Sequence, residues 1–269
     1  MKQAVLPVIT IGLFAMVVAD RISHSLGSDG EPLPVQGPSD TRSATVDPAH
    51  PAVSATVATA EPSNPSAGTP TLDRLARLAA RQQLSRAAGS TYLDSLIIST
   101  DSVVRRWPDR YGLPLRVAVI EGGPATYNSR MAGYLLQALE RWEDAGAGVR
   151  FITVADTGSA DILVRWIDHF DFDRAGQTDL TWDQAGRVRK AAILLAIRTN
   201  TGVILPDAAL LTVAVHEAGH ALGLPHSPDT NDVMFPATQT GVLSERDRRT
   251  AQILYQLPTG PVRDSTGTP

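Results

Sequence analysis

His216, Glu217, His220, Gly223 and His226 lie together in the run VAVHEAGHALGLPH, with the spacing H-E-x-x-H-x-x-G-x-x-H. A helix advances about 100° per residue, so two histidines four apart stack on one face. Imidazole nitrogens placed that way can bind one ion at roughly 2.0–2.1 Å. Glu217 sits one residue round the helix, near enough to handle a bound water and not placed to replace a ligand. Gly223 can take the left-handed conformation without a Cβ penalty and end the helix, and Pro225 opposes its continuation. His226 then arrives from the returning chain as a third ligand. Three protein ligands leave a fourth zinc position open, which is the catalytic rather than the structural pattern.

Two plainer readings compete with this one. His216 and His220 could line an ordinary buried helix, or the three histidines could belong to a closed structural site. The chain has six histidines and no cysteine, so nothing obvious supplies a fourth ligand. Glu217 could be an exposed helix carboxylate, but Val213, Ala214, Val215, Ala218, Ala221 and Leu222 around it form an apolar setting.

The extended motif, with Met234 eight residues after His226 in NDVMFP, resembles the metzincin metalloproteases, named for a methionine turn beneath the metal. HEAGHALGLPHS followed by DVMFP is most similar to the matrixins, in which a serine such as Ser227 follows the third histidine. The later run LSERDRRTAQILYQL resembles the matrixin C-terminal helix, and Phe235-Pro236 stands where an astacin-like chain would carry a tyrosine. The resemblance implies an α+β, zincin-like domain: a twisted, mixed five-stranded sheet with an active-site helix and a C-terminal helix. It implies a zinc-dependent endopeptidase with His216, His220 and His226 as ligands, Glu217 activating the water, and Met234 as the structural turn. The alternative is an exported zinc-binding protein of the same fold without turnover. The lack of cysteine rules out disulfides and the cysteine switch that holds many matrixins latent. The second, structural zinc of animal matrixins has only His169 upstream of the motif helix to hold it, so it is not expected. Asp168, Asp171 and Asp173 offer oxygens that suit Ca2+, with a solvated acidic loop as the plainer reading.

The elements that must position these residues are legible in outline. Residues 115–120 (LRVAVI) read as a strand and 129–145 as a helix with Met131, Tyr134, Leu135, Leu139 and Trp142 on one face. Short strands follow at 149–154 and 162–166, then a pair at 180–182 and 191–197 joined near 184–186. Asp207 is expected to cap the motif helix over 208–222. By the resemblance, 177–182 is an edge strand above the cleft, where an extended peptide docks as an added strand. Residues 235–242 would wall the pocket beyond the cut bond.

The catalytic domain is expected over 107–258, with a helical extension at 72–106 and a disordered tail at 259–269. In the extension, Leu72, Leu75, Leu78, Ala79 and Leu84 share helical spacing, and Ser90 or Thr91 would cap a second helix to about Arg105. It reads either as packing at the domain edge or as a segment over the cleft. Residues 27–71 are rich in Pro, Ser, Thr and Ala without periodicity, and read as a disordered linker. Lys2 and the apolar run over 4–19 mark 1–26 as a signal peptide, with small residues Val17 and Ala19 before a cleavage point, or as an uncleaved signal anchor. The protein is therefore expected outside the cytoplasmic membrane, secreted or anchored there. With 43% hydrophobic residues and a net charge of −4, the 269-residue chain can bury one good core and offers no electrostatic argument for nucleic acid. The expected partner is a protein or peptide substrate, and the expected state is a monomer.

Overall fold

A computed structural model describes residues 8–12, 72–94, 103–110, 112–120 and 123–262. The linker and most of the signal segment lie outside the described residues. So does the tail from 263 onward.

Alternating and β-branched residues build a mixed sheet from β3 (Leu115–Val119), β4 (Phe151–Thr153), β5 (Ile162–Ile167), β6 (Gly176–Trp182) and β7 (Val188–Ala196). β4, β3, β5 and β7 run parallel, and β6 turns back antiparallel to β7. This is the expected five-stranded mixed sheet. A sixth strand, β1 (Val8–Gly12), is added antiparallel to β6, from Val8 opposite Thr181 to Gly12 opposite Gln177. In β6 the residues Gly176, Thr178, Leu180 and Trp182 face inward, as the two-residue period of a strand requires.

Against the sheet pack α2 (Ser129–Glu143) and α3 (Asp207–Ala221). α2 starts at Asn128, whose side chain accepts from Arg130 N, and buries Met131, Leu135, Ala138, Leu139 and Trp142. α3 is buried on nearly every side from Leu210 to Ala221. Its backbone carbonyls are met from outside the helix: Trp142 Nε1 donates to Val215 O and Trp107 Nε1 to Ala221 O, both at 2.8 Å. Tyr255 OH donates to Leu222 O at 3.1 Å, just past the helix end. Asp207 does not cap the helix. Pro206 is the N-cap with no side-chain bond, and Asp207 is the first helical residue, favourable there because it faces the positive helix end. α4 (Glu245–Gln256) opens with a capping box between Ser244 and Asp247.

The N-terminal extension differs from expectation in three ways. α1 (Leu72–Ala87) buries Ala80, Leu84 and Ala87 and leaves Leu72 86% exposed, with Leu75, Leu78 and Ala79 also exposed, so of the expected stripe only Leu84 faces the core. The expected second helix does not reach Arg105: residues 93–94 are helical after turns and bends at 88–92, residues 95–102 lie outside the described residues, and Val103–Val104 form a strand, β2. β2 pairs with β8 (Gly260–Pro261), and Val262 is buried, so the start of the expected disordered tail is ordered structure. The extension is stitched to the C-terminal part of the domain by Arg81 Nε donating to Val262 O at 2.6 Å and by Gln83 with Gln256 at 2.9 Å.

Candidate metal centre and active site

α3 carries His216, Glu217 and His220 into the core, where all three are fully buried. The chain must then reverse within a few residues to bring His226 alongside. Gly223 makes that turn with φ +96°, and a Cβ there would collide with Arg105 O. Leu224 N returns to Gly219 O at 3.1 Å and Gly223 N to His220 O at 2.8 Å, closing the helix end. The three imidazole rings then lie 4.6, 4.7 and 5.4 Å apart between centroids. Their candidate ligand atoms fall within 4.8 Å of one another, and theirs is the only such group among the described residues.

The tautomers follow from the hydrogen bonds. His216 Nδ1 donates to Val233 O at 2.7 Å, and His220 Nδ1 to Leu224 O at 2.8 Å. A carbonyl can only accept, so both Nδ1 atoms hold the proton and both Nε2 atoms present lone pairs. Burial pushes the His216 imidazole down to about 3, with His226 adding to the effect, and pushes His226 down to about 4. Burial also drives His220 well below the ordinary histidine range. All three are therefore neutral at pH 7, the state a metal requires. His216 Nε2 is buried with no partner of its own. An orphaned lone pair in the interior costs free energy unless something occupies it, so the donor set fits a cation such as zinc.

Glu217 is held differently by its two oxygens. Oε2 accepts from Thr178 Oγ1 at 2.6 Å, while Oε1 is buried without a partner. Burial pushes the carboxyl up to about 8, against the opposing pull of the Thr178 bond and of the Arg174 charge. A divalent cation beside it would favour the anion.

Below the histidines, Met234 is fully buried against Gly219 of α3, and its carbonyl accepts from Ser227 N at 2.8 Å. Val233 links this turn to α4: its N–H donates to Asp247 Oδ2 at 2.8 Å, and Tyr92 OH donates to Asp247 Oδ1 at 2.9 Å. Asp232 is bound by Ser227, Ser244 and Arg246. The turn is thus fixed from three sides.

Every residue assigned to the site from the motif is brought together here. The acidic group is not: Asp168 is bonded by His169 at 2.9 Å and Arg198 at 3.3 Å, and Asp171 and Asp173 are exposed. Sequence reasoning missed Gly176, Thr178, Tyr92 and Asp247. Thr178 left one trace, a polar residue in the inward register of a strand with Leu180 and Trp182. Tyr92 and Asp247 left none, because 155 residues separate them.

Comparison with known families adds an independent finding. A family model described as matrixin matches residues 116–256, more than half of the chain, and takes in the sheet from β3 onward, the motif helix and α4. That stretch also contains every residue of the metal centre and its methionine floor, so by sequence profile and by site geometry alike this chain belongs to the matrixin family of metalloproteases.

Proposed function

We propose that the protein is an exported zinc endopeptidase in which His216, His220 and His226 hold one zinc ion and Glu217 is the general base. The observation that carries this reading is the pair of unpartnered buried atoms, His216 Nε2 and Glu217 Oε1, on adjacent residues of one helix. A zinc ion bound there would polarise the peptide carbonyl as a Lewis acid and lower the pKa of water toward about 7. Glu217 takes the proton of the attacking water at Oε1 and later delivers it to the leaving amine. The Nδ1 bonds to Val233 O and Leu224 O keep two of the imidazoles in the tautomer and orientation that ligation needs.

A substrate adds as a strand along the outer edge of β6, with its backbone groups pairing to those of the sheet. The antiparallel seating of Val8–Gly12 on that edge supports this, since it shows the edge accepting an extended segment. Residues 235–242, held by a bond from Arg141 to Gly241 O, wall the pocket beyond the cut bond. Export rests on Lys2 and the apolar run over 4–19, and calcium has no supporting geometry at Asp168.

The test is zinc content and peptide-library cleavage by the purified chain beside Glu217→Ala and His220→Ala. Glu217→Ala should keep about one zinc and lose at least about 100-fold in rate, the contribution of a positioned base. His220→Ala should lose the zinc. Cleavage retained in Glu217→Ala overturns the base assignment. Zinc without cleavage in the wild type favours a binding protein without turnover.

A further inference from the structure

β6 is expected to serve substrate binding through the backbone of its outer side, where β1 is seated, yet two of its inward positions are shaped around a single carboxylate. Gly176 and Thr178 are two apart on one strand and therefore face the same way. A Cβ on Gly176 would lie 2.6 Å from Glu217 Cγ and 2.8 Å from Cδ, and closer still to Oε1. No side chain other than hydrogen leaves the Glu217 carboxylate its present place. Thr178, fully buried, sets its hydroxyl 2.6 Å from Glu217 Oε2 and 3.1 Å from the backbone oxygen of the same residue. A hydroxyl has one proton. The shorter contact, in the range of a hydrogen bond to an ionised acceptor, takes it.

We propose that Gly176 and Thr178 are positioning residues for Glu217: the glycine makes the berth in which the carboxylate lies, and the threonine occupies Oε2 so that Oε1 alone is left for proton transfer. This rests on the reading of Glu217 as the base. A buried glutamate with neither oxygen held could rotate among rotamers, and each wrong rotamer removes the base from the reaction without touching the metal ligands or the substrate edge. One oxygen tethered and one free is the arrangement that keeps a single productive geometry.

The experiment uses the full chain as wild type, Thr178→Val, Thr178→Ser, Gly176→Ala and Glu217→Ala. Zinc stoichiometry, melting temperature, and kcat and KM on one cleaved peptide are measured for each. Thr178→Val keeps the shape and removes the hydroxyl. It should retain one zinc, keep KM within about twofold, and lose roughly 10–100-fold in kcat, the usual scale of one hydrogen bond to a charged group. Thr178→Ser restores the hydroxyl and should return kcat to within about threefold of wild type. Gly176→Ala should lose kcat in the same manner, with zinc retained. A crystal structure of Thr178→Val should show the carboxylate turned away from its wild-type rotamer.

Wild-type kcat in Thr178→Val overturns the proposal. So does an equal loss in Thr178→Val and Thr178→Ser, which would mean packing rather than the hydroxyl, or a rise in KM at unchanged kcat. If Thr178→Val does not fold, Thr178→Ser and Gly176→Ala decide: kcat kept by the serine and lost by the alanine supports the berth, and any other pairing rejects it. Glu217→Ala separates the two levels. If it cleaves like wild type, the base assignment has failed; if it is inert while Thr178→Val is fully active, only the berth has failed.

Discussion

Gly219 lies between His216 and His220 along α3, at the point where the helix meets its floor. A Cβ there would fall 2.7 Å from Trp142 Cζ2, 3.2 Å from Met234 Cε and closer to Met234 Sδ. Two effects of Gly219→Ala oppose each other. Alanine is favoured over glycine in a helix by about 1 kcal/mol, whereas forcing a methyl group into a packed core costs typically about 1–3 kcal/mol. Methionine is flexible and could yield, but the Trp142 ring cannot, since its Nε1 is bonded to Val215 O on the same helix. The steric effect should win, and thermal denaturation of Gly219→Ala should show a net loss of up to about 2 kcal/mol. A melting temperature at or above wild type would mean that the floor is softer than this contact implies. The motif positions were legible at this scale because metal ligation demands fixed residue types at fixed spacing within one turn and one loop. Thr178 and Gly176 were not, because which residue of a strand meets Glu217 depends on how β6 lies over α3, and no local spacing encodes that.

At the level of elements, the unexpected feature is the attachment of the N-terminal extension. Tyr92 and Leu93 are buried, Tyr92 OH reaches Asp247, and Asp247 in turn holds Val233, whose carbonyl orients His216. The extension therefore supports the metal centre from beneath, where a segment lying over the cleft would obstruct it from above. The two arrangements predict opposite results on deletion of residues 72–94. Removing a covering segment should raise activity. Removing a support should uncover Thr250 and the Asp247 carboxylate, lower the melting temperature by several degrees and speed proteolysis, with no gain in kcat/KM. Increased turnover in the shortened chain would refute the supporting role. The strands and helices of the central domain were readable because period-2 and period-3.6 apolar patterns survive in a single sequence: LRVAVI became β3 and the Met131–Trp142 face became the buried side of α2. The extension misled for a physical reason. Its leucines satisfy helical spacing, but only Ala80, Leu84 and Ala87 find a neighbour to pack on, and short pairings such as β2 with β8 are set by distant partners and leave no period to detect.

For the whole molecule, the question is how far the fold depends on its metal. Small zinc domains have no core of their own and unfold when chelated. Here Trp142, Trp166, Leu135, Ile162, Ile193 and Leu195 are fully buried in a continuous apolar core that extends well beyond the residues around the histidines. Burial also keeps the three imidazoles neutral at pH 7, so withdrawing the ion does not leave buried like charges facing one another. The metal-free protein should consequently remain folded at 25 °C. It should nonetheless be less stable, since a ligand that binds only the native state contributes RT ln(1 + [L]/Kd), about 4 kcal/mol when free zinc is a thousandfold above its dissociation constant. For a domain of this size each kcal/mol corresponds to roughly 2–4 °C, so chelation should lower the melting temperature by about 8–16 °C. One equivalent of zinc should restore it, and His220→Ala should melt at the chelated value with or without added zinc. Unfolding at 25 °C on chelation would show that the core cannot stand alone. An unchanged melting temperature in wild type would show that the three histidines bind no metal under those conditions, and with it would fall the assignment of the site.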